Sequence, residues 1–110
     1  MENKIIQKEE KLENGWTVWS VVGRIDITTA ETAYEKGNEI LERADKLVLD
    51  MSNVEYLSSA GIRIIVRLFK AAKKQGKEFT VAGAVGMVKT VMEDSNLDTV
   101  LTMRNSLADL

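Results

Sequence analysis

Residues 46–65 read KLVLDMSNVEYLSSAGIRII, and this stretch decides the fold. Lys46-Leu47-Val48-Leu49-Asp50-Met51 reads as a short apolar strand ending in an acid. Residues 52–57 are expected to connect this strand to a helix opened by Ser58-Ser59-Ala60-Gly61. Along that helix Ile62, Ile64, Ile65, Val66, Leu68, Phe69 and Ala72 supply apolar positions, interleaved with Arg63, Arg67, Lys70, Lys73 and Lys74. It is expected to stop at Gln75-Gly76, with lysines in its last turns where the helix dipole favours cations. A strand feeding a helix in this way is half of a parallel βαβ unit.

Upstream, Glu13-Asn14-Gly15 is a turn signal, because Asn and Gly accept positive φ at little cost. It predicts a hairpin between an edge strand in segment 3–11 and a strand over 16–22. Trp16, Val18, Ser20 and Val22 share one face of that strand and Thr17, Trp19 and Val21 share the other, and both faces are largely apolar, as in a strand covered on both sides. The large apolar Trp19 implies cover by a helix, or else a weak contact between two copies of the chain. Gly23-Arg24-Ile25-Asp26 is expected to leave the strand, and Thr28 or Thr29 to cap a helix running to about Ala44. Ala30, Ala33, Tyr34, Gly37, Ile40 and Leu41 are its inward positions, and Glu31, Glu35, Glu39 and Glu42 make its outer side acidic.

Downstream, the residues predict a strand over 78–82 and a third helix over 83–93 with Met87, Val88, Val91 and Met92 inward. A last strand is expected over 98–102, followed by a short helix or tail over 103–110. The order β-β-α-β-α-β-α-β predicts an α/β fold: a mixed, mostly parallel sheet covered by helices. With no proline, no linker and no internal repeat, residues 1–110 are expected to form a single domain.

Composition excludes much chemistry. There is no cysteine and no histidine, so neither a disulfide framework, a thiol nucleophile, a His-dependent triad nor a Cys/His metal site can be built. The loop acids Asp26 and Asp50 form no evident acid–base constellation, and no enzyme is expected. Gly83-Ala84-Val85-Gly86 is too sparse a glycine pattern to cradle a nucleotide. No cofactor and no metal are expected. A net charge of −2 argues against nucleic acid as a partner. The first fifteen residues carry neither a long apolar core nor a cleavage signal, so a cytoplasmic protein without membrane insertion is expected.

What remains is a serine pair at a helix start. The N-terminus of a helix presents unpaired N–H groups and partial positive charge, and it tolerates a phosphate. A phosphoryl group there would add about −1.5 to −2 charges and three acceptor oxygens. It would make one face strongly acidic if the loops carrying Asp26 or Asp50 converge on the same end of the sheet. The same serines would also serve simply as a helix cap.

The stretch from Leu47 to Gly61 resembles the signature of the STAS family, which includes bacterial anti-sigma factor antagonists. Val22-Gly23-Arg24-Ile25-Asp26, followed by Thr29-Ala30, is similar to that family's Gly-Glu-Leu-Asp loop and helix start. Val81-Ala82-Gly83 resembles its last strand exit, so the likeness runs over essentially the whole chain. The resemblance implies a domain that is phosphorylated by an ATP-binding anti-sigma factor/serine kinase and restored by a phosphatase. Unphosphorylated, such a domain binds the anti-sigma factor and frees the sigma factor. The family's Asp-Ser-Ser-Gly pattern places the acceptor on Ser59, with Ser58 as second choice. Ser58 stands where the family has the acid, Ala60 stands where it has the second hydroxyl, and Gly61 is its glycine. The implied partner surface comprises Asp26, Thr28, Thr29, Asn53, Glu55, Ser58, Ser59, Ala60, Gly61 and Arg63. The alternative reading is a STAS scaffold or ligand-sensing module that works without phosphate, in a signalling or transport-associated complex.

Overall fold

Asn14 ties the first turn. Its side-chain oxygen accepts the Trp16 N–H at 3.1 Å, while Leu12 N–H donates to Trp16 O at 2.8 Å. In the computed structural model, which describes residues 4–110, this turn joins β1 (Ile6–Lys11) to β2 (Thr17–Ile25) as an antiparallel hairpin. Asn3, at the start of the expected edge segment, lies outside the described residues. The chain continues through α1 (Ala30–Arg43), β3 (Lys46–Leu57), α2 (Ser59–Lys74), β4 (Glu78–Ala82), α3 (Gly86–Asp94), α4 (Leu97–Val100) and β5 (Met103–Arg104). A 3₁₀ turn, Leu107–Asp109, follows. The strands lie side by side in the order β1-β2-β3-β4-β5, and every pair after the first hairpin is parallel. This is the expected mixed, mostly parallel α/β sheet.

The helices share one face of the sheet. Trp19 and Val21 of β2 point into the main core with Leu47, Leu49 and Met51 of β3, Ile40 and Leu41 of α1, and Ile65 and Leu68 of α2. Each such side chain contributes about 1.5–3 kcal/mol through burial. Trp19 is fully buried and its indole N–H donates to Gln7 Oε1 at 2.8 Å. It is therefore the helix-covered side chain of the two alternatives, and no surface for a second copy. Gly37 makes this seat possible: a Cβ there would lie 2.7 Å from the Trp19 ring and 2.8 Å from Leu68 Cδ1. A helix-interior glycine costs about 1 kcal/mol against alanine, and the indole packed in its place offsets that cost.

The other face has no helix layer. Trp16, Val18, Val48 and Ala82 form a second small cluster, closed by Leu12, Leu107 and Leu110. Cover is partial, leaving Ile6 60% and Val22 37% exposed. The expectation of two covered faces thus holds at Trp16 and Val18 but not at Val22.

Several boundaries differ from the sequence reading. β3 continues through 52–57 and β2 through Ile25. Asn53 and Val54 pair with Val22 and Gly23 after one register shift, and Tyr56 and Leu57 pair with Arg24 and Ile25 after a second. The side chains of Ser52, Asn53 and Glu55 are exposed and look loop-like, yet the parallel ladder is made by backbone groups, which carry no sequence signal. Asp50 consequently sits inside β3 rather than ending it. The expected strand over 98–102 is replaced by α4, begun by Asn96 in the left-handed region (φ 61°), and the strand is displaced to Met103–Arg104. α3 begins at Gly86, because Gly83 stands in the left-handed region (φ 76°), outside helical geometry, with its N–H donating to Arg104 O. Met87, in the first turn of α3, is then 62% exposed instead of inward. Tyr34 is only half buried, its ring under the Arg67 guanidinium at 3.8 Å.

Candidate phosphoacceptor and docking site

The site forms where β2 and β3 end side by side and hand over to α1 and α2. Ser58 N–H donates to Ile25 O at 2.9 Å, which locks the start of α2 to the end of β2. Ser58 is extended (φ −90°, ψ 176°), and its hydroxyl accepts the Gly61 N–H at 3.4 Å, making it the N-cap. Ser59 is the first helical residue; it is exposed, and its hydroxyl has no hydrogen bond among the described residues. Ala60 is half buried, and Arg63 stands exposed one turn further on the Ser59 side of the helix.

Gly61 lets these elements meet. A Cβ there would lie 2.4 Å from Leu57 Cδ1, 2.9 Å from Ile25 Cγ2 and 3.1 Å from Ile25 O. The absent side chain allows the first turn of α2 to press onto the ends of both strands.

The loop after β2 is organised by Asp26. Its carboxylate accepts the Thr28 N–H at 2.9 Å and the Thr28 hydroxyl at 2.6 Å. Its own N–H donates to Thr29 Oγ1 at 3.0 Å, and that hydroxyl donates to Arg24 O at 2.7 Å. Thr29 occupies the N-cap position of α1, but neither threonine caps with its side chain, because both hydroxyls are spent on the loop. The Thr28 hydroxyl is the main reason the Asp26 carboxyl titrates below the ordinary carboxylate value. Partial burial opposes it, while the Thr28 N–H and the Arg24 guanidinium, 3.9 Å away, add to it. Arg24 also lies over the Tyr56 ring at 4.3 Å.

Asp26, Thr28, Thr29, Ser58, Ser59, Ala60 and Gly61 are thus gathered at one end of the sheet. Asn53 and Glu55 lie exposed on the adjoining part of β3. Asp50 is not brought there. It precedes Ser58 by about 25 Å of extended strand at about 3.3 Å per residue, and it accepts bonds from Ser52 and Ser20. Of the two acids, only Asp26 meets the convergence condition. Arg24, Tyr56 and Ile27, within the 24–30 and 52–59 segments, also border this end of the sheet. Ile27 is 81% exposed at the loop tip, flanked by Asp26 and Thr28, and an apolar residue inside a polar turn was the available signal. The Arg24–Tyr56 contact depends on the shifted β2–β3 register and had none. Among the described residues no cluster of three or more Asp or Glu side chains is placed to hold a metal, and no helix is long and apolar enough to cross a membrane.

This geometry coincides with known proteins. Residues 6–110 match the STAS domain family, and the chain belongs to it. An anti-sigma factor antagonist from Mycobacterium paratuberculosis has a solved structure similar to this one with a TM-score of 0.88. The two chains are 26% identical, with 96% of this chain and 90% of that chain covered. The anti-sigma-F factor antagonist RsfB of Mycobacterium tuberculosis is 29% identical over 97 residues, 87% of this chain and 79% of that protein. The anti-sigma-B factor antagonist of Bacillus subtilis is 33% identical over 57 residues, 52% of each chain. The resemblance carried by residues 22–30 and 47–61 is borne out, and the chain is a regulatory, non-catalytic domain.

Proposed function

We propose that this protein is a cytoplasmic anti-sigma factor antagonist, a single STAS domain over residues 1–110 that works by partner switching. Unphosphorylated, it binds an ATP-binding anti-sigma factor/serine kinase and releases the sigma factor. Phosphorylation of Ser59 by that partner ends the binding, and a phosphatase restores it. The observation that carries this reading is the exposed, uncommitted Ser59 hydroxyl in the first turn of α2, beside the Asp26–Thr29 loop. Ser58 is the weaker acceptor because its hydroxyl already caps the helix.

The electrostatics support a switch. A dianion on Ser59 is tolerated by the α2 N-terminus and lies one turn from Arg63, so the fold survives modification. A partner seated over Asp26, Thr28, Thr29, Asn53, Glu55 and residues 58–63 meets that dianion next to an already ionised Asp26. Repulsion and desolvation at the interface then cost several kcal/mol. The test is recovery of the protein from its own cells, with phosphosite mapping by mass spectrometry and identification of what co-purifies. Phosphate on Ser59, with an ATP-binding partner retained only by the unmodified form, is the expected result. A partner that stays bound, with no phosphate on either serine under any growth or stress condition, refutes the switch. That outcome would leave the phosphate-independent scaffold, which the Ser58 and Ala60 departures from the family pattern favour.

A further inference from the structure

β1 is an outer strand of the sheet, and among the described residues no strand pairs with its far edge. Leu12 N–H donates to Trp16 O at 2.8 Å, which makes these two a hydrogen-bonded pair of the hairpin. Antiparallel pairs alternate between bonded and non-bonded. In the β1–β2 register the backbone groups of Glu10, Lys8 and Ile6 therefore point at Val18, Ser20 and Val22. The N–H and C=O groups of Gln7, Glu9 and Lys11 point away from the sheet. An open edge of this kind accepts a further strand.

The side chains of β1 select which strand that is. Charges on an edge commonly keep it single, but those of β1 are self-complementary. Lys8 and Glu10 lie opposite Ser20 and Val18, on the face of the sheet without helices. Both are exposed, and neither has an ion pair among the described residues. A second β1, laid antiparallel about a two-fold axis through Glu9, sets Lys8 of each copy against Glu10 of the other. These are non-hydrogen-bonded pairs, in which opposed side chains come closest. The outward groups of Gln7, Glu9 and Lys11 meet those of Lys11, Glu9 and Gln7, and Ile6, 60% exposed, falls opposite the half-buried Leu12. The two Glu9 carboxylates facing each other at the axis are each already held by Arg43 and Lys36. Moving the axis to Lys8 or to Glu10 would instead oppose two lysines or two unpaired glutamates.

We propose that two copies of this chain pair through β1 in this register, joining their sheets into one. The contact is isologous, the same strand serving both copies. A single added strand pair is a small interface, so association is weak and depends on concentration. The two-fold axis reverses strand direction, so the serine ends of the two copies face opposite ways. Pairing does not depend on phosphate at Ser59.

The experiment is sedimentation velocity on the chain from micromolar to millimolar concentration, with amide hydrogen exchange followed by NMR over the same range. The expected result is a monomer–dimer equilibrium in which the amides of Gln7, Glu9 and Lys11 gain protection as the dimer forms. Lys8→Glu and Glu10→Lys, both at exposed positions, should each weaken the dimer at least about tenfold by opposing like charges in both pairs. Mixed in equal amounts, the two variants should associate with each other about as tightly as the parent with itself, since each supplies the charge the other lacks. The chain carrying both substitutions should regain the parent's association. The proposal is overturned if the chain stays monomeric at millimolar concentration, or if a dimer forms and leaves those three amides unprotected. It is equally overturned if the single variants dimerise like the parent, or if their mixture associates no better than either alone.

Discussion

Replacing Gly61 with alanine adds one methyl group at the tightest point of the serine site. That methyl would stand 2.4 Å from Leu57 Cδ1, about 1 Å inside ordinary carbon–carbon contact. Leu57 is 2% exposed and has no room to turn away, and Ile25 O, 3.1 Å from the same methyl, is backbone. The first turn of α2 must therefore retreat, stretching the 2.9 Å bond from Ser58 N–H to Ile25 O. Overpacking costs about 1–3 kcal/mol, and the lost bond costs about 1 kcal/mol. Alanine's better helix propensity returns at most about 1 kcal/mol. The expected net loss is about 2 kcal/mol, or a Tm lower by roughly 8 °C for a domain of this size. Urea unfolding followed by tryptophan fluorescence measures it directly. A Gly61→Ala protein as stable as the parent, or more stable, would mean that helix propensity outweighs the contact and that α2 is not pinned to Ile25 and Leu57.

Ser58→Ala should cost about 1 kcal/mol by removing the α2 cap while leaving Ser59 available; loss of all phosphorylation in this variant would instead make Ser58 the acceptor. Ser59→Asp should weaken partner binding by at least about tenfold and Ser59→Ala should leave it intact, both read by calorimetry; equal binding by the two would refute a charge switch at this residue. Asp26 titrates below the ordinary carboxylate value, so its ionised form stabilises the fold above that value and the contribution is lost as pH falls through the depressed pKa. Asp26→Asn should therefore be less stable than the parent near neutrality and converge with it in acid, and Thr28→Val should raise the Asp26 pKa in a carbon-detected NMR titration.

Much of the candidate site was legible in one dimension. A hydroxyl pair at a helix start, an acid in the preceding loop and a glycine in the first turn are local features, and local physics assigns them. The strand over 46–51 and the α2 stripe were equally plain, because buried positions impose periods of 2 and 3.6 on the residues. The second half of β3 was not. Ser52, Asn53 and Glu55 carry no strand signature, and what makes them a strand is the hydrogen-bonding edge of β2 beside them. The C-terminal part of the chain was misread for a similar reason: β5 has two residues, and pairing with β4 defines it rather than any apolar alternation of its own.

Sequence alone determined the fold class, the exclusion of His- and Cys-based chemistry, and the choice of Ser58 and Ser59 as the residues to watch. Those conclusions rest on residue type and short-range spacing, which the chain carries with it everywhere. Tertiary structure alone decided that Asp26 joins the serines while Asp50 stays within β3. It also decided that Ser58 is committed to capping while Ser59 is not, and that Trp19 is sealed under Gly37. Each of these depends on which strand ends lie side by side and how closely a helix approaches them, and those distances are set by packing between residues far apart in the chain.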